Sequence, residues 1–346
     1  MKAKCRTVVQ RRALEIGREG LSDADLQKID DRMRATMRRL AREDGWQALA
    51  PDERISRAAE TAMADIRSEA ARKVANAERQ VLATSAVETR ISEARARQPG
   101  WSRSRALVED MERTRAYADG VKRDAARNLM ELIGAAKSGQ DAGFGRKALM
   151  FLFDAQNPVM TRDLALEVFA KGEAGTGNEI AKAGAKAWLE VTDALRTRFN
   201  DAGGDVGKLD YGYLPQAHDE LRVLAAKADK WSNDVLPLLD RGRYLAEDGS
   251  QLSDAAVLDI LRGAWETIAT DGANKSEPGA FKGSGSRANR GSESREIHFK
   301  DGQAYLDYLG KYGVGSMYDA MVGHLGGLSR DIGLVERYGP NPEAQM

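Results

Sequence analysis

Apolar residues recur every three or four positions along most of this chain, which is the spacing of a helix with one buried face. The first stripe predicts a helix that begins at Ser22 and stops at Gly45. Asp23 and Asp25 stand in its first turn, where acidic side chains suit the helix dipole. The stripe consists of Leu26, Ile29, Met33, Met37 and Leu40.

A much longer helix is predicted over residues 51–97, because Pro51 suits a first helical position and Pro99-Gly100 ends the pattern. Its apolar residues form one narrow seam with the spacing of a coiled coil. The seam consists of Met63, Ile66, Ala70, Val74, Ala77, Val81, Thr84 and Ile91. Alanine buries little area, so we expect this helix to be unstable alone and to need partner helices.

A third helix is predicted over residues 102–137, and the three helices together predict an elongated, coiled-coil-like helical arm over residues 1–137. The apolar stripe of the third helix consists of Leu107, Met111, Thr114, Ala118, Val121, Ala125, Leu129 and Leu132. A glycine-rich stretch then marks the first candidate boundary. We predict a helical linker over residues 138–204 and a compact α-helical domain over residues 205–346.

The remainder of the chain predicts shorter helices separated by glycine-rich breaks. They are a helix over residues 161–170, one capped by Asn178, one over residues 221–231, one starting at Ser253-Asp254, and two capped by Asp301 and Ser316. A short strand is predicted at residues 297–299. The predicted fold class is therefore mainly α, with an elongated arm followed by an irregular α-helical domain that carries long loops.

The longest predicted loop, residues 272–296, lies within a polar, glycine-rich segment over residues 263–300. Loops of this length are usually functional or disordered, so both an interaction loop and a flexible linker remain open. The candidate interaction residues are Trp265, Asn274, Lys275, Phe281, Arg287, Asn289, Arg290, Glu293, Arg295 and His298. Two interpretations of its arginines remain open. They contact phosphate, or they pair with Glu277, Glu293 and Glu296 and so hold the loop on its own domain. The second interpretation is preferred.

Charge is balanced over the whole chain but not along it. Residues 1–137 hold 29 basic and 22 acidic side chains, and the remainder has the opposite excess. Such an excess is typical of a solvated helix face, and contact with DNA through the basic arm is the alternative. Cys5 is the only cysteine, which excludes an internal disulfide. The sequence contains no run of 18 apolar residues, so no membrane span is predicted.

Catalytic and metal-binding patterns are weak. His218, His298 and His324 are the only histidines, and no two have the short spacing of a metal-ligand pair, so no metal or cofactor is predicted. His324 is predicted to lie in a core or an interface. Ser292, Ser294 and neighbouring Glu and His residues supply groups for nucleophilic catalysis, but no nucleophile elbow surrounds either serine. No catalytic residue is predicted.

Two passages resemble a known family as whole stretches of sequence. The first is GGDVGKLDYGYLPQAHD, residues 203–219, and the second is residues 264–343, which begin AWETIATDGANKSEPGAFKGSGSRANRG. They resemble a segment of large virion-associated proteins of tailed bacteriophages and prophages, described as internal virion or DNA-ejection proteins. The resemblance covers about the last 140 residues and carries no catalytic motif.

This resemblance implies a structural virion protein that assembles with itself or with other virion proteins during genome delivery. It implies a location in the virion, with delivery into the host cell as a further expectation. Since family members are often longer, we expect this chain to belong to a longer polypeptide. The alternative is an enzyme domain, a hydrolase or phosphate-binding module, with its site in residues 263–300.

Overall fold

The computed structural model describes residues 23–135, 157–209, 212–272, 287–289 and 295–345. Within these ranges the chain is mainly α-helical, as predicted, and β-pairing is confined to three isolated bridges. The ten helices are α1 Asp23–Leu40, α2 Pro51–Arg97, α3 Arg103–Ala135, α4 Pro158–Phe169, α5 Glu179–Asp201, α6 Glu220–Ala226, α7 Ala228–Val235, α8 Asp254–Ala269, α9 Gly302–Tyr312 and α10 Met317–Tyr338.

Side-chain caps fix several of the helix starts. The side chain of Asn178 accepts a hydrogen bond from Ala181 N at 3.1 Å, and that of Asp301 accepts one from Ala304 N at 2.7 Å. Ser316 forms a reciprocal capping box with Asp319 at the start of α10. The three caps predicted from sequence are confirmed, since each oxygen satisfies a backbone N–H that the first helical turn leaves unpaired.

Two local predictions were wrong. The predicted single helix over residues 221–231 is broken into α6 and α7 because Lys227 has a φ of 61°, a value that no α-helix accepts. The predicted strand at residues 297–299 is an isolated antiparallel bridge between Leu239 and Phe299. The β-branched and aromatic run therefore reflects burial of Ile297 and Phe299 rather than a sheet.

By its contacts the chain divides into two units. Unit 1 comprises Met1–Lys73 and Asp240–Val257, and unit 2 comprises Val74–Leu239 and Leu258–Met346. These units do not coincide with the predicted ranges 1–137, 138–204 and 205–346. Sequence order alone could not show that residues 240–257 join the beginning of the chain.

Unit 1 is built around Trp46, whose side chain is 1% exposed. Its indole Nε1 donates a hydrogen bond to Glu247 O at 3.1 Å, and Arg34 forms an ion pair with the carboxylate of Glu247 at 2.9 Å. The apolar core around Trp46 consists of Met33, Met37, Leu40, Ala41, Ile55, Ala58 and Ala62. The predicted stripe of α1 is thus confirmed at its three described buried positions, Met33, Met37 and Leu40.

Unit 2 has its core where α3, α5 and α10 pack against one another, and α4 packs on both α5 and α9. The side chains of Trp188 and Leu164 are fully buried there. The aromatic residues of α9, Tyr305, Tyr308 and Tyr312, are also buried. Among the described residues, no helix is both long and apolar enough to cross a membrane.

A charged network joins α2, α3 and α10 inside unit 2. The carboxylate of Asp110, only 6% exposed, accepts two hydrogen bonds from Arg90 at 2.8 and 3.1 Å and one from Arg337 at 2.7 Å. Arg337 Nε also donates to Thr114 Oγ1 at 2.8 Å. These donors keep the pKa of Asp110 below its usual range, although burial acts in the opposite direction.

This network corrects one predicted position of α3. Its stripe was predicted to bury Met111, but Met111 is 39% exposed and Asp110 is buried in its place. Thr114, Ala118, Val121, Ala125 and Leu129 of the stripe are buried, and Leu107 and Leu132 are half-buried. A carboxylate can take a core position here because two arginines neutralise it, which an apolar-periodicity argument does not consider.

Replacing Gly302 by alanine should destabilise the protein. A Cβ at Gly302 would lie 2.5 Å from Ala165 O and 2.5 Å from Leu166 N, so α9 and α4 would have to separate. We expect a loss of about 1–3 kcal/mol in the free energy of unfolding, measured by urea denaturation. Gly310 lies in the same helix with nothing within 4 Å, so Gly310→Ala should be neutral or stabilising. Equal effects of the two substitutions would contradict this packing.

The substitution Asp110→Asn should cost about 3–5 kcal/mol of unfolding free energy, since it leaves two arginines without their carboxylate. The matched control is Glu109→Gln on the same helix. Glu109 is 32% exposed and, among the described residues, its one ion pair is with Arg113 one turn away, so its loss should cost about 0.5 kcal/mol or less. Chemical denaturation of both variants measures the difference, and comparable small losses would show that the network contributes little.

Candidate functional site

The ten candidate interaction residues are only partly within the described chain. Asn274, Lys275, Phe281, Arg290 and Glu293 lie outside the described residues, as does the side chain of Asn289. Their predicted roles stay predictions. The described members are Trp265, Arg287, Arg295 and His298, together with the backbone of a 3-10 turn at Arg287–Asn289.

Arg287 is held by two carboxylates of its own unit. Its guanidinium lies 2.7 Å from Asp331 and 2.9 Å from Glu343, and its side chain is 14% exposed. The next residue, Ala288, is fully buried and donates its backbone N–H to Pro340 O at 3.1 Å. The turn is therefore fixed against α10 and the segment after it. Neither carboxylate is among the partners predicted for the loop arginines.

Trp265 fixes the other described end of the segment. It lies on α8, and its indole Nε1 donates a hydrogen bond to Val223 O on α6 at 2.9 Å. The ring is half-buried. Phe281, the other apolar residue among the candidates, lies outside the described residues. Trp265 therefore has a structural contact within unit 2.

Arg295 lies in an aromatic part of the interior of unit 2. It donates one hydrogen bond to Gly212 O at 3.3 Å, and the nearby rings include those of Tyr213 and Tyr305. Burial lowers the pKa of its guanidinium below the usual value. His298 lines the same small cavity as Arg295. Two candidate residues that lie close in sequence are thus brought together.

The other two histidines lie near Arg295. His218 Nδ1 is 2.7 Å from the hydroxyl oxygen of Tyr308, and the ring centroid of His324 is 6.3 Å from Trp188 and 5.8 Å from Tyr213. His324 Nε2 is buried and has no hydrogen-bond partner among the described residues. Burial lowers the pKa of both histidines to about 4, and the positive charge of Arg295 contributes to this. Both rings are therefore neutral near pH 7.

The predicted seam of α2 is exposed over most of its length. Val74 is 61% and Val81 70% exposed, and Met63 and Ile66 are more than one-third exposed. Ala70, Ala77 and Thr84 are exposed too, whereas Ile91 is buried. The buried face of α2 in unit 2 carries Val87, Ile91 and Ala94 instead. Within the described residues, most of this apolar stripe is therefore left exposed.

Sequence reasoning missed the charged residues that gather at the end of α10. Arg198 pairs with Glu336 at 2.8 and 2.9 Å and donates to the hydroxyl oxygen of Tyr117 at 2.8 Å. One sequence signal could have identified such residues. It is a charged residue at, or next to, a helical position that apolar periodicity predicts to be buried, as at Asp110. Their partners come from distant parts of the chain, which one sequence does not reveal.

Among the described residues, no group of three His, Cys, Asp or Glu side chains is placed to hold a metal ion. No protein-family model, curated protein or solved structure matches this chain.

Stability should fall as the pH is lowered from about 6.5 to about 4. The pKa of His218 and of His324 is about 4 in the folded protein and about 6.5 when exposed, so the unfolded state binds more protons in this window. The stabilisation is complete above pH 6.5 and is lost progressively towards pH 4. His324→Phe removes one of these groups and should flatten the dependence of the unfolding free energy on pH.

The readout is the difference between the unfolding free energies of wild type and His324→Phe at several pH values. Carboxylates that titrate near pH 4 are common to both proteins and cancel in this difference. Parallel curves for the two proteins would show that His324 is not buried as a neutral ring.

Proposed function

We propose that this chain is a non-catalytic structural protein of a bacteriophage virion, an internal or DNA-ejection component that assembles through helix–helix contacts. The observation that carries the proposal is the exposed seam of α2, where Val74 and Val81 stand one heptad apart with exposed Ala77 between them. An apolar coiled-coil seam gains its stability only when another helix covers it.

The occupant of the seam is a second copy of α2. A seam with heptad spacing requires a helix with matching spacing, and a second copy supplies one. Alanine at the seam permits close approach of the two backbones. The flanking side chains carry both signs of charge, as at Lys73 and Glu78, so two copies can pair without net repulsion.

The role in genome delivery rests on the resemblance of residues 203–219 and 264–343 to virion-associated proteins. It also draws on the basic excess of residues 1–137, which suits proximity to DNA or other polyanions. A location in the virion follows as part of the proposal. The gene neighbourhood tests this part: portal and tail genes alongside are expected, and a metabolic operon would overturn it.

The described part of the segment at residues 263–300 supports a structural function for it. Trp265 uses its only polar group on Val223, and Arg287 is neutralised by Asp331 and Glu343. These contacts hold the described ends of the segment on their own unit, although the carboxylates at Arg287 differ from the predicted Glu277, Glu293 and Glu296.

Substituting the seam should prevent self-association. We expect the full chain to sediment as an oligomer whose mass rises with concentration, and Val74→Glu combined with Val81→Glu to shift it to the monomer. The dimer would bury four carboxylates in the seam, two from each copy, whereas in the monomer both positions are exposed. Analytical ultracentrifugation measures the mass, and circular dichroism should show unchanged helix content.

The matched control is Thr89→Glu, an exposed position on the same helix outside the seam. It adds one negative charge, as each of the two seam substitutions does, and should leave the oligomer intact. A wild-type chain that stays monomeric at high concentration, or a control that dissociates equally, would contradict a second copy as the occupant.

A further inference from the structure

A cleft of about 630 Å³ lies in unit 2 between α2, α5 and the end of α10. Four arginines line it, namely Arg79, Arg90, Arg198 and Arg337. Between them the lining is apolar, with Leu82, Ala86 and Pro340 among the lining residues. Its volume is within the range of small-ligand sites, about 300–1,000 Å³.

Three of these arginines are held in position by carboxylates and still have one nitrogen free. Arg90 and Arg337 each bind Asp110 through Nη2, and each also uses its Nε. Arg198 binds Glu336 through Nε and Nη2. Among the described residues, Nη1 of all three has no protein partner, and none of these atoms is buried. Their donors are oriented before any ligand arrives, which lowers the cost of binding.

Arg79 is the least constrained of the four. It is exposed and donates one hydrogen bond, from Nη1 to Asn76 Oδ1 at 3.0 Å, so its Nε and Nη2 remain free among the described residues. The cleft also contains Asp201 and Glu336. With Asp110 behind the arginines, the local balance is four positive and three negative groups, which favours an anionic occupant.

We propose that this cleft binds a phosphate ester that carries an apolar or planar group. Four arginines that line one cleft suit a phosphoryl group, which has three or more acceptor oxygens, better than a carboxylate, whose two oxygens one arginine such as Arg79 can satisfy with two parallel donors. The apolar lining then accepts the remainder of the ligand. The proposal does not depend on the structural virion function, because it rests on unit 2 residues outside the exposed seam.

The test uses deoxythymidine monophosphate as the probe, titrated into the full chain and followed by calorimetry and NMR at low salt. We expect saturable binding, a tenfold or so weaker affinity for thymidine and for succinate, and a decrease in affinity as salt is raised. Equal binding of thymidine would remove the role of the phosphate. Equal binding of succinate would overturn the choice of phosphate over carboxylate.

Two pairs of variants locate the site. Arg79→Gln should weaken binding about tenfold, since one charge-assisted hydrogen bond is lost. Its control, Arg115→Gln, removes an exposed arginine of α3 that does not line the cleft and should leave the affinity unchanged. Because Arg79 and Arg115 are both exposed, neither variant should alter the thermal midpoint appreciably.

The second pair changes charge in opposite directions at one exposed position. Ala86 lines the cleft, so Ala86→Glu should abolish measurable binding and Ala86→Lys should strengthen it about threefold. The proposal would be overturned if deoxythymidine monophosphate failed to bind, or if all four variants bound it as wild type does. Self-association should be the same in these variants as in wild type, so failure here is distinguishable from failure of the assembly proposal.

Discussion

The carboxylate of Asp110 organises the charged interior of unit 2. It is buried between three helices, and it can stay ionised there only because Arg90 of α2 and Arg337 of α10 both donate to it. A buried ion pair of this kind adds little net stability compared with apolar packing, but removing one member is costly. The network therefore fixes which turn of α2 lies beside the end of α10, and in doing so it fixes the arginines that line the cleft.

Helix periodicity predicted a large part of this fold. The helices α2 and α3, and the caps at Asn178, Asp301 and Ser316, follow from local physics that a single sequence contains. Two features could not be predicted in this way. The break at Lys227 needs a left-handed backbone at a lysine, and the association of residues 240–257 with unit 1 is a contact between distant parts of the chain.

The candidate site was predictable only in part. Arg295 and His298 do lie at one cavity, and the sequence marked them by their place in an unusually polar segment. The pairing of Arg287 with Asp331 and Glu343 was missed, because the nearest acidic residues in sequence were taken as its partners. The apolar stripe of α2 was predicted to be a coiled-coil seam from its spacing, but periodicity identifies an apolar stripe without saying which molecule covers it.

The helix α2 presents two different faces within unit 2. A helix turns about 100° per residue, so Val74 and Val81 point about 140° away from Arg79 and Ala86 around its axis. A helix bound on the first side and an anion bound on the second do not compete for space. Any influence of one on the other would be a thermodynamic linkage transmitted through α2, and it would change both affinities by the same factor.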